Sequence, residues 1–267
     1  MTRRSLPRGL VAILVLVAAA VIGPLVYRVD PAALDLSRIA APPSPGHPLG
    51  TDETGRDVLA RLLAGGRVSL LVATAAGLVA LVVGTGLGAA ASSRRPLVAA
   101  VAGRALDAAL AVPVFFLLLV ILTLFGSSTT TLVLAIGFTA WMGIARLVRA
   151  ETLSLRERDY VTAAAALGRS RTGIFRSHVL PHLVPTLSAA AGVGVAQAIL
   201  TESALSFLGL GVSPPRASWG NMLTGAQQNL VTAPWLAVYP GVLIVATVLA
   251  CNAVAEAARV AGAPRRG

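Results

Sequence analysis

Six stretches of this chain are too long and too apolar to be the faces of soluble helices. They cover residues 10–27, 68–91, 105–125, 131–144, 187–208 and 235–254, and Asp107 and Glu202 are the only charged groups inside them. A helical bilayer crossing takes about 20 apolar residues. In lipid, moreover, every peptide group must find its partner within the structure, which favours helices. The pattern predicts an all-α fold, a polytopic membrane protein with six transmembrane helices. The fourth span reaches residue 148 if Arg146 snorkels to the interface. Composition agrees: charged residues are 12% of the 267 positions, about half the share a soluble domain carries.

The net charge of +11 at pH 7 raises the question of nucleic acid. Its distribution answers it, because basic residues of membrane proteins collect in cytoplasmic loops. All 22 basic residues are Arg. With the N-terminus inside, 16 of them fall on the cytoplasmic side and 6 outside, so both termini are expected in the cytoplasm. Arg3-Arg4 followed by an apolar run resembles a twin-arginine signal. That run exceeds the usual h-region of about 7–15 residues, and it reads instead as an uncleaved first span. A single Cys251 in an apolar stretch allows no intrachain disulfide.

The spans suggest a division into residues 1–67, a first transmembrane helix with an external amphipathic segment, and residues 68–267, a core with five spans. In the external segment Asp52 or Thr54 is placed to cap a short helix with Val58, Leu59, Leu62 and Leu63 on one face. A second external loop, residues 209–234, is rich in Gly, Pro and Asn. The cytoplasmic loop at residues 149–185 carries a compact helical signal. Asp159 starts it, four Ala follow at 163–166, and Gly168 stands where a C-terminal cap belongs. Ala163 and Ala164 leave one face nearly bare, so another protein can approach the backbone. Arg169, Arg171 and Arg176 follow, then a second helical stretch that Pro181 is expected to end or kink.

This loop resembles the EAA loop of binding-protein-dependent ABC importer permeases, on its paired Ala, the Gly four residues on, and the later Ile174 and Leu180-Pro181. Two further blocks resemble the dipeptide, oligopeptide and nickel branch of that family. One is His47-Pro48-Leu49-Gly50-Thr51-Asp52 with Gly55-Arg56-Asp57; the other runs from Glu202-Ser203-Ala204-Leu205-Ser206-Phe207-Leu208-Gly209 to Ser218-Trp219-Gly220-Asn221. Arg104, Asp107 and Pro113 also fall where that branch carries such residues. The resemblance covers roughly residues 5–259. It implies a type I importer permease of the bacterial cytoplasmic membrane, working in alternating access with a homologous second permease, two ATPase subunits and an extracytoplasmic substrate-binding protein. ATP and Mg would be bound by the ATPase partners, with no cofactor on this chain. A coupling helix would contact the ATPase through Asp159, Tyr160, Ala163, Ala164, Leu167, Gly168, Ile174, Phe175 and Pro181. Asp52, Arg56, Asp57, Trp219 and Asn221 are candidates to face the receptor. Two departures stand out: Thr162 replaces the acidic residue of EAA, and Ala255-Glu256 precedes Arg259 with altered spacing.

Several further residues invite a reading on their chemistry. Gly84-Thr85-Gly86-Leu87-Gly88 lies in an apolar run with no strand before it, which favours close helix packing over a nucleotide turn. No Walker A sequence is possible in a chain without Lys. His178 and His182 have the spacing of a metal pair but lack a neighbouring carboxylate or thiolate ligand, so no metal site is expected. Asp107 is expected to pair with Arg104. Glu202 is a candidate for the solute pathway, for the contact with a sister subunit, or for interfacial solvation. A proton-coupled carrier using Asp107 and Glu202 is the alternative from another class. A membrane enzyme is weaker, because the spans hold no His and no catalytic triad.

Overall fold

The computed structural model describes residues 8–262. Its helices are α1 (Arg8–Val26), α2 (Val58–Ala91), α3 (Pro96–Leu110), α4 (Val114–Phe125), α5 (Thr129–Arg156), α6 (Asp159–Ala166), α7 (Arg171–Ile174), α8 (Leu180–Phe207), α9 (Trp219–Ala226) and α10 (Trp235–Gly262). Among the described residues there are no strands, only two isolated bridges in the first loop.

Helices α1, α2, α5, α8 and α10 are each long and apolar enough to cross a membrane, whereas α3 and α4 qualify only as a pair bent by 87°. The expected third span, 105–125, is therefore broken. Pro113 is the cause: it lacks an N–H and disfavours helical geometry at Val112, and the chain restarts as α4 with Pro113 in the N-cap position. The amphipathic segment at 58–63 is likewise not a separate helix. It forms the opening turns of the 34-residue α2, whose first amides are capped by Asp57 at 2.7 Å from the Ala60 N–H. The division at residue 67 thus falls inside a continuous helix.

Glycine contacts fix how the spans run. A Cβ on Gly84 would sit 2.7 Å from Ile144 Cβ, and one on Gly88 would sit 2.6 Å from Ala145 O; Gly137 abuts Val79 in the same way. Residue numbers rise together along both helices, so α2 and α5 lie parallel and in close backbone contact, as expected for the small residues of 84–88. A parallel pair requires the chain between them to return across the bilayer. The bent α3–α4 unit makes that return, giving six crossings. Helix α8 opposes α2, with Gly77 against Val195, and α10 opposes α8, with Gly192 against Cys251 O. The start of α1 meets the late turns of α10 at Gly9 and Ala250. Residue 8, the end of α10 and α6 consequently share one side, called here the knob side; α9 and the first loop share the other, the cap side.

Helix α1 faces mostly lipid and needs an anchor. Pro24 inside it removes the amide that would bond the carbonyl four residues back. Arg67 of α2 fills that gap: its Nε donates to Ala20 O at 2.7 Å and its Nη2 to Val21 O.

Candidate functional site

On the knob side, α5 runs on to Arg156 and passes through Glu157-Arg158 into α6. Asp159 lies in the first turn of α6, where a negative charge complements the helix dipole. Gly168, at φ +78°, takes the left-handed conformation that ends the helix, and the Arg169 N–H bonds back to Ala164 O at 3.2 Å. That closure is a Schellman motif and satisfies carbonyls the helix would otherwise strand. Val161 is wholly buried and roots the helix, while Tyr160 and Leu167 are 43% and 87% exposed. Ala163 is exposed beside them. The Tyr160 ring stacks on His182 with centroids 5.6 Å apart, which ties α6 to the start of α8. The His178 side chain lies outside the described residues.

Beyond Gly168 the sequence expectation needs correcting. Pro181 does not end the helical path; α7 passes through a π-turn, Phe175–Val179, directly into α8. Pro181 stands in the first turn of α8, directly after the π-turn. Ile174 is buried, and Phe175 packs on the cluster of Ile144, Val148, Leu155, Val179 and Leu183. Ile174 roots the loop, and half-buried Phe175 packs on the same cluster from one side.

The cap side holds the residues expected to face a receptor, and the structure turns most of them inward. Asp52, Arg56, Asp57 and Trp219 are 8% exposed or less. Asp52 Oδ1 accepts from the amides of Thr54 and Arg56, while Oδ2 takes Arg56 Nε at 2.7 Å and faces Arg61 Nε at 3.1 Å. That last contact is an ion pair without hydrogen-bond alignment, and Arg61 Nη1 is buried without a partner. Asp57 Oδ2 accepts from Tyr27 Oη at 2.9 Å and lies 2.8 Å from His47 Nδ1. Asn221 completes a capping box with Ser218 at the start of α9 and donates to Val212 O and Arg216 O. These polar groups hold the loops together because buried charge persists only where it is paired.

Glu202 joins the same scaffold. It is 0% exposed, so it reaches neither the surface of this chain nor solvent. Ser206 Oγ and Ser69 Oγ donate to it at 2.7 and 3.2 Å. Ser69 Oγ in turn accepts the Trp219 N–H at 3.1 Å, and the Trp219 indole donates to Leu62 O at 2.9 Å. Gly220 fits against Ser203, where a Cβ would come within 2.6 Å of backbone. The carboxylate thereby pins α9 between α2 and α8. Sequence reasoning singled out Glu202 but missed Ser69, whose hydroxyl carries no signal inside an apolar run.

Between the broken span, α5 and α8 lies an open cleft of about 800 Å³, walled by apolar residues such as Leu118, Ile136 and Ile144, with Thr139, Thr186, Gln197, Thr201 and Arg259 as polar groups. Asp107 stands apart from it. Its partner is Arg149 of α5 at 3.9 Å, not Arg104, and the carboxylate is largely exposed; such surface pairs contribute little. Among the described residues no group of three or more His, Cys, Asp or Glu is placed to hold a metal ion.

A six-crossing helical bundle with a broken span, a pinned cap and a protruding helical knob is the architecture of a multi-pass membrane transport component. Residues 80–266 match the family described as binding-protein-dependent transport system inner membrane component. The chain belongs to that family. It is 39% identical over 259 residues to a protein of Brucella suis named as a peptide permease, covering 96% of this chain and 86% of that one. The oligopeptide transport system permease protein OppC of Haemophilus influenzae is 36% identical over 227 residues, 85% of this chain and 73% of the relative. The fold is similar to that of the MetNI methionine ABC transporter in an inward-facing conformation, with TM-score 0.60, 17% identity, and coverage of 74% of this chain and 96% of that one.

Proposed function

We propose that this chain is one of two permease subunits of an ATP-driven importer for peptides or related small solutes. The relatives named for peptide and oligopeptide transport support the solute class. The knob side is the cytoplasmic side, which the arginine bias supports, so both termini lie in the cytoplasm. A homologous second permease and two ATPase subunits complete the assembly; the ATPases bind ATP and Mg and carry out hydrolysis. An extracytoplasmic binding protein delivers solute to the cap side, and the open cleft along α5 and α8 forms this subunit's share of the path. Its volume lies within the usual range for small-molecule sites, about 300–1,000 Å³.

The observation that carries this reading is α6. An alanine face that ends at an 87% exposed Leu167 leaves room for another backbone to approach closely. It fits a groove on a partner. Closure of the ATPase dimer pushes the knob, and the spans change the side to which the cleft opens.

Ala163→Trp and Ala164→Trp test it. Uptake of a labelled oligopeptide and co-purification of the ATPase subunits should both be lost, with the amount of chain in the membrane unchanged. Full uptake by either variant defeats the coupling role. Competition by unlabelled peptides against Ni²⁺ separates peptide transport from the nickel alternative.

A further inference from the structure

At the root of α6 the structure forms a partly open cavity of about 100 Å³. Val161, Ile174 and Phe175 form its apolar wall, and Ser93, Arg94 and Arg156 form its polar wall. Arg94 belongs to the turn between α2 and α3, and Arg156 is the last residue of α5. Both side chains line the same small space, and like charges at short range repel. On this side Arg149 pairs with Asp107 and Arg259 with Glu256. Among the described residues the side chains of Arg94 and Arg156 have neither an ion pair nor a hydrogen bond. Two like charges converging on one small cavity beside apolar walls leave a local positive potential that the chain does not neutralise.

We propose that this cavity is a binding site for a phosphate-type oxyanion, and that its occupant ties the root of α6 to the α2–α3 turn. Guanidinium forks match the tetrahedral oxygens of phosphate with charge-assisted hydrogen bonds. The turn at residues 92–95 also lies where α2 leaves the bilayer, at the depth of lipid headgroups, and anionic lipids enrich that leaflet. The phosphate of an anionic headgroup and free inorganic phosphate share the required chemistry. The consequence for coupling rests on the function proposed above, but the binding does not.

Hydrogen exchange on the full chain in nanodiscs reads the site without transport or ATP hydrolysis, so a negative result leaves the coupling role standing. Three conditions are compared: phosphatidylcholine alone, phosphatidylcholine with phosphatidylglycerol, and phosphatidylcholine with added inorganic phosphate. An occupied site slows exchange of the amides at 157–167 by about tenfold, the effect of one charge-assisted hydrogen bond. Slowing with phosphatidylglycerol alone assigns the site to a lipid headgroup; slowing with inorganic phosphate as well assigns it to the free ion. The double variant Arg94→Gln/Arg156→Gln should lose the slowing while exchange in α2 and α5 stays unchanged, and Arg95→Gln, outside the cavity, should keep it. No slowing in either condition, or equal slowing in the double variant, overturns the proposal.

Discussion

Glu202 accepts from two serine hydroxyls at 0% exposure, so its replacement separates charge from hydrogen bonding. Glu202→Gln keeps an acceptor for one serine and should cost less than about 1 kcal/mol. Glu202→Leu strands both hydroxyls, at about 1–3 kcal/mol each, and should loosen α9; denaturant unfolding of the purified chain measures the difference. Tyr27 allows a sharper test. Burial, then its hydrogen bond to Asp57 and the charge of that carboxylate, push its hydroxyl from 10.0 up to about 12. The folded state therefore holds the proton more tightly than the unfolded state. Its contribution is complete below pH 10 and is lost as pH rises towards 12. No Lys exists in the chain to titrate across that window. Tyr27→Phe should flatten the decline in melting temperature there, and an unchanged decline would remove Tyr27 from the account. The inward turn of Asp52, Arg56 and Asp57 was not legible in the sequence. A loop rich in charge reads as solvated, and only the three-dimensional closure of the loop shows that these charges satisfy one another.

Among elements, α6 was the most legible, because its signals are local: an acidic first turn, an alanine run and a glycine stop. Gly168, at φ +78°, allows a graded test. Gly168→Asn tolerates the left-handed conformation and should retain most uptake. Gly168→Ala costs about 1 kcal/mol in that conformation and should reduce uptake partially, while Gly168→Val should abolish it; equal uptake by all three would show that this turn does not matter. The break in the third span was hidden, because hydropathy stays high through Pro113 and a bend changes no composition. The packing of residues 84–88 was read correctly from small side chains alone. Gly84→Leu forces α2 from α5 and should destabilise the chain by about 1–3 kcal/mol, seen as reduced membrane accumulation and a lower melting temperature. Gly86→Leu, which faces open space, should be tolerated.

For the whole molecule, six crossings place α6 and both described ends on one side and α9 on the other. Cys251 is buried, so single cysteines can be introduced on a quiet background. Leu36→Cys should react with a membrane-impermeant maleimide in intact spheroplasts, and Leu167→Cys only after permeabilisation; the reverse result would invert the chain. The six crossings were legible because bilayer thickness sets a length that any apolar helix must meet, whereas the direction of neighbouring helices depends on contacts distant in sequence. Those contacts have a mechanical result. Helix α5 is 28 residues long, about 40 Å, and glycine seats against α2 leave it no room to slide. Such seats predict that the two rods move as one stiff lever, with its handle at Arg156 and its far end beneath Trp219. A tilt applied at the handle would then reach the opposite membrane surface as bulk displacement, without any need for the intervening backbone to unwind.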